Sequence, residues 1–169
     1  MGLFTPNPTP QLMEYIARLL SQSQDCAQLI NSTTKPDVFF KRLNFLLDLL
    51  LELQQYEKYK VFKSGTPSAD YKKILNNLEA TVNDFIDRAQ LAHEEKIRSL
   101  KTDKAKKRNR EDFAIKLISA FDCAHTFWSG SISQSRFYPH YTGPLYTQNN
   151  YRRVQEIYDN LDYYGLTDQ

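Results

Sequence analysis

Glycine, cysteine and tryptophan are scarce in this chain of 169 residues, which holds 5 Gly, 2 Cys and 1 Trp. Neither a glycine-rich phosphate loop nor a GxSxG nucleophile elbow occurs. Cys26 and Cys123 lie far apart with no CxxC partner, so they form no disulfide framework or zinc knuckle. Each falls on an apolar helical face, where a buried reduced thiol is the favoured reading over a disulfide. An excess of either charge is also missing: 22 Lys plus Arg stand against 20 Asp plus Glu, so attraction to nucleic acid or an anionic membrane must come from local clusters. The Leu-rich run is broken about once per turn by Arg42, Asp48 and Glu52, which excludes a membrane span there. Met1-Gly2-Leu3-Phe4-Thr5-Pro6 has no basic region leading into an apolar core, and Pro6 stands where a myristoylation signal wants Ser or Thr. A cytoplasmic protein is expected.

What is present is helix. Between Val38 and Tyr59, Lys41, Asn44, Asp48, Glu52 and Gln55 gather into one polar sector at 100° per residue. Phe39, Phe40, Leu43, Phe45, Leu46, Leu47, Leu49, Leu50, Leu51 and Leu53 fill most of the remaining circumference. A helix so broadly apolar needs neighbours on several sides, so the fold expected is all-α: a four- or five-helix bundle with this Leu-rich helix at its centre. The core is large enough to need neither metal nor cofactor.

Around that helix the chain divides readily. Residues 1–9 form an extended Pro-rich tail, 10–128 the helical bundle, and 129–169 an aromatic-rich loop with a short last helix packed on the bundle, all within one domain. Thr9 is a candidate N-cap with Pro10 at N1, opening a helix that runs to about Ile30. Thr34 and Asp37 have the spacing of a capping box for the Leu-rich helix. Lys63-Ser64-Gly65-Thr66-Pro67 makes the next break. The third helix carries a stripe from Tyr71 to Leu100, ~45 Å long at 1.5 Å per residue, a length that suits a projecting arm or a coiled-coil surface. Near Leu100 the stripe loses register; either Thr102 caps a fourth helix with Phe113, Leu117, Ala120, Phe121, Ala124 and Trp128, or one helix bends through.

Two clusters stand out as recognition surfaces. Lys101, Lys104, Lys106, Lys107, Arg108 and Arg110 concentrate cations with only Asp103 among them, as phosphate binding requires. On a helix these side chains point nearly all round, and a solvated helix end is the plainer alternative. Aromatics crowd the last quarter of the chain. There Tyr138, Tyr141, Tyr146 and Tyr151, with Arg152 and Arg153, are the candidate partner-binding residues, since tyrosine offers contact area with a polar tip; packing of the loop onto the bundle is the alternative.

Acid-base and metal signatures are thin. Asp122 and His125 give one carboxylate-x-x-His pair, where a di-metal bundle needs two pairs and further carboxylates. Glu79, Asp84 and Asp87 around Arg88 fit surface pairing better. Cys123, His125 and His93 lack zinc spacing, and Cys123 and His125 point some 200° apart on a helix. No metal site, cofactor or catalytic residue is assigned; a helical metalloenzyme is a third reading.

Pro36-Asp37-Val38-Phe39-Phe40, Glu57-Lys58-Tyr59, Asn83-Asp84-Phe85-Ile86-Asp87-Arg88 and Leu100-Lys101-Thr102-Asp103-Lys104 together resemble a helical segment recurring in uncharacterised proteins of Gram-positive bacteria and their mobile elements. The resemblance covers about residues 30 to 125 and implies no activity. It implies a cytoplasmic bacterial or phage setting, in which many small proteins act by binding and blocking another protein. The function expected is therefore non-catalytic protein interaction, with a host protein or by self-association. The alternative is a nucleic-acid-binding accessory protein using the segment 101–110 and the C-terminal aromatics.

Overall fold

Threonine and proline set the first helix boundary. The computed structural model describes residues 8–62, 65–130 and Glu156, with the backbone alone for Lys60 and for 121–130. Helix α1 (Pro10–Leu29) begins after Thr9, whose extended backbone turns its Oγ1 to accept the Leu12 N–H at 3.2 Å. Ile16, Leu19, Leu20, Cys26 and Ile30 form its buried stripe. Ser23 is buried in the same stripe and donates its hydroxyl to the Leu19 carbonyl at 2.7 Å, satisfying itself within the helix. Cys26 is a free thiol, pushed up in pKa by burial, with its Sγ 3.5 Å from the Arg42 carbonyl oxygen.

Helix α2 (Pro36–Gln54) departs from expectation at both ends. The capping box of Thr34 and Asp37 does not form. Lys35 is the N-cap, extended at φ −88°, ψ 122°, and no side chain caps it. Pro36 explains this: its ring disfavours helical backbone at the preceding residue, so Lys35 cannot be a first-turn residue and Thr34 falls outside the helix. At the other end the helix stops at Gln54 instead of reaching Tyr59. The N–H groups of Gln55, Tyr56 and Glu57 bond back three residues, tightening the last turn. This turns Glu57 inward, where only 5% of it is exposed and its Oε1 accepts the Tyr71 hydroxyl at 2.6 Å. A buried carboxylate needs such a donor.

A 3₁₀ turn, Lys60–Phe62, leads to helix α3 (Thr66–Ser99), whose 34 residues span about 51 Å. Its N-cap is Gly65, at φ 88°, ψ −176°, a region open essentially to glycine alone. Ser68, buried in the first turn, donates to the Phe62 carbonyl at 2.7 Å and holds the 3₁₀ turn against the helix. Leu100 then breaks the chain at φ −83°, ψ 142°, and Thr102 caps helix α4 (Asp103–Gly130) by accepting the Ala105 N–H at 3.1 Å. Two helices, not one bent helix, occupy this stretch.

The described residues thus form four α-helices and no strand. Tyr15 meets Glu52 and Cys26 meets Arg42, so α1 and α2 run antiparallel; α3 lies against α1 and α4, and α2 likewise against α1 and α4. Helices α2 and α3 face each other across the middle through large side chains. Phe39 stacks on Phe85 at 3.8 Å between ring centroids, and Phe40 meets both edge-on at 5.1 and 5.9 Å. Leu43, Leu46, Leu47, Leu50 and Leu53 are buried beside them. Phe45, placed by periodicity in the same apolar arc, is 55% exposed, because that arc is wider than the sector its neighbours cover.

Two stability differences follow. Phe85→Ala should lose about 3–5 kcal/mol in urea denaturation, whereas Phe45→Ala should lose less than about 0.5 kcal/mol. Gly65→Ala should lower stability by about 1–3 kcal/mol through backbone strain alone, since an added Cβ would meet only Pro67 Cδ at 3.9 Å.

Candidate functional site

The start of α2, the last third of α3 and the first turns of α4 enclose a cleft of about 430 Å³. Small side chains, Ala89 and Ala92, leave the space, and Phe113 closes one wall. His93 stacks on Phe113 with centroids 4.1 Å apart and planes 9° from parallel. Burial holds the His93 pKa below its ordinary 6.5; Glu94 acts in the opposite sense, and the Arg110 and Lys96 cations lower it further. Around this imidazole stand Lys35 and Asp37 from α2, Lys96 from α3, and Asp112 and Lys116 from α4. Lys116 is paired with Asp112 at 3.0 Å. That contact and the further charge of Asp37 raise the Lys116 pKa. Lys35 and Lys96 have no carboxylate partner among the described residues.

A second surface runs along the outer seam of α1 and α2. Tyr15 and Tyr56 both donate their hydroxyls to Glu52 Oε1, at 3.2 and 3.1 Å, with rings edge to face at 6.1 Å. Tyr59 adjoins Tyr56 at 6.2 Å, and Lys58 Nζ lies 5.5 Å from the Tyr59 ring centre. Partial burial, reinforced by the Glu52 carboxylate, raises both hydroxyl pKa values. Phe45 is two turns before Glu52 on the same edge of α2, and Arg42 further along donates to the carbonyl of Leu29, itself 60% exposed. Sequence reasoning missed this patch. Glu52 and Tyr56 have a visible i, i+4 spacing, but Tyr15 is 37 residues away from Glu52 and nothing local announces it.

The residues singled out from sequence fare differently. Lys101, Lys104 and Arg108 are exposed at the turn and first face of α4, whereas Lys106, Lys107 and Arg110 are half-buried on its other side. The exposed face continues with Glu111 and Asp112, so the six cations do not make one surface. Arg88 does pair with Asp84 at 2.9 Å. It also donates to Thr33 O and Asn31 Oδ1, both at 3.1 Å, clasping the α1–α2 turn. Tyr138, Tyr141, Tyr146, Tyr151, Arg152 and Arg153 lie outside the described residues, as do the side chains of Asp122, Cys123 and His125. No group of three or more His, Cys, Asp or Glu side chains is placed to hold a metal, and no helix is long and apolar enough to cross a membrane, among the described residues.

Because the folded His93 binds its proton more weakly than the unfolded chain does, its contribution to stability is complete above about pH 6.5 and is lost as the pH falls through the folded value. His93→Phe keeps a ring against Phe113 and removes the titration. Denaturation midpoints measured from about pH 7 to about pH 5 should therefore fall less in the variant than in the parent chain. No protein-family profile, curated protein or solved structure matches this chain.

Proposed function

We propose that this chain is a non-catalytic protein-interaction module of a bacterial cytoplasm or mobile element, which binds a host protein or a second copy of itself. The observation carrying the reading is the exposure of Phe45 on a helix whose other phenylalanines are wholly buried. A large ring left in solvent between Leu29 and the Tyr15–Tyr56–Tyr59 group supplies an apolar anchor with a tyrosine-rich margin, the composition that concentrates binding energy in protein interfaces. The paired hydroxyls on Glu52 pre-set the two rings, which reduces the ordering cost of association. Tyr138, Tyr141, Tyr146, Tyr151, Arg152 and Arg153 belong to the same proposal on their chemistry alone. The nucleic-acid alternative draws less support, since Glu111 and Asp112 follow Lys104 and Arg108 on the exposed face of α4.

Phe45→Asp tests the reading. Its effect on folding should stay within about 0.5 kcal/mol, as the side chain is largely in water. Sedimentation of the purified chain measures self-association, and a photo-crosslinking residue at Ser21 or Lys41 captures a host partner in cells. Either association should weaken more than about tenfold in the variant. An unchanged sedimentation profile together with unchanged crosslinks would remove the seam from consideration.

A further inference from the structure

We infer that the cleft between α2, α3 and α4 binds a small phosphate monoester, with its phosphate held by Lys35 and Lys96 and its organic part laid on Ala92 and Phe113. The inference is independent of the protein-interaction reading, which concerns the opposite edge of α2. Three features of the cleft converge. Its volume of about 430 Å³ lies in the range of small-ligand sites and exceeds what an inorganic ion fills. Its charge leans positive: Lys35, Lys96 and Lys116 stand against Asp37 and Asp112, and with Asp112 engaged by Lys116, two ammonium groups from different helices remain against the one carboxylate of Asp37. Its lining is mixed in kind, with ammonium groups, the Thr34 hydroxyl and the His93 imidazole for a polar group and Ala92 and Phe113 for an apolar one. A tetrahedral oxyanion with several acceptor oxygens matches donors arriving from separate elements, and lysine serves such groups as a point charge. Asn109 spends one of its two Nδ2 N–H groups on the Ala105 carbonyl at 2.8 Å.

His93 provides the readout. It lines the cleft among Lys35, Asp37, Glu94, Lys96, Arg110, Asp112 and Lys116, and a bound anion beside it favours the imidazolium. Inorganic phosphate and phenyl phosphate, each titrated into the full chain at ionic strength matched with sodium chloride, should raise the His93 pKa measured by NMR by about half a unit or more beyond the chloride control. Phenyl phosphate should reach this at lower concentration than inorganic phosphate, since only it uses the apolar wall. The double substitution Lys35→Ala, Lys96→Ala removes two exposed side chains, should leave the helical circular dichroism unchanged, and should weaken binding about tenfold. A His93 titration unmoved by both compounds would overturn the site. A shift that survives the double substitution would overturn the roles of the two lysines, and equal affinity for the two compounds would overturn the place given to the organic part.

Discussion

The face-to-face contact of Phe39 with Phe85 is the constraint on which the rest of the arrangement depends. Helices α2 and α3 are not lateral neighbours; each lies against α1 and α4, and only long side chains reach across the space between them. Protein interiors tolerate little empty volume, so a gap of that width must be filled by rings. Phe40 seals the contact edge-on, and Phe62 against Tyr71 at 5.1 Å repeats the solution toward the other end of α3. Ala89 and Ala114, by contrast, sit buried on α3 and α4.

Polar clasps at the two ends fix what the rings cannot. Arg42 reaches Leu29 O and Ser32 Oγ, and Arg88 reaches Thr33 O and Asn31 Oδ1, so one turn is gripped from both α2 and α3. The carbonyl of Leu29, the last residue of α1, accepts the Ser32 N–H and hydroxyl as well as the Arg42 guanidinium, so the open end of the helix is satisfied within this turn. At the opposite end two carboxylates perform the converse task. Glu52 collects the hydroxyls of Tyr15 and Tyr56, and Glu57 takes that of Tyr71, each joining chain segments that periodicity treats as separate. Apolar burial is non-directional, whereas these bonds are specific in geometry, which is how a core of interchangeable leucines acquires one helix register.

Both candidate surfaces are consequences of this framework. The cleft exists because the small side chains of Ala89 and Ala92 on α3 leave space between α4 and the start of α2, and the seam patch exists because α2 presents more apolar circumference than its neighbours cover. Neither was visible in advance. The cations of 101–110 drew attention by their density, yet density along a helix is not density on a face, and the structure divides them between solvent and half-buried positions. His93, which lacks zinc spacing in the sequence, becomes part of a lined cleft only when Lys35 and Lys116 are brought to it from 58 residues before and 23 after.

Local chemistry accounts for what was legible in the chain alone. The all-helical class, the Thr9 and Thr102 caps, the stripe from Tyr71 and the buried face of α1 each follow from residues within a few turns of one another, where propensity and periodicity operate. The failures share the opposite cause. Pro36 displaced the expected cap by a neighbour effect, and the demand of Tyr71 for Glu57 accompanies the early end of α2. Which apolar residue stays in water, which carboxylate is buried and which lysines face one cleft are set by the assembly of distant helices, because burial and charge pairing belong to three-dimensional neighbourhoods and not to positions along the chain.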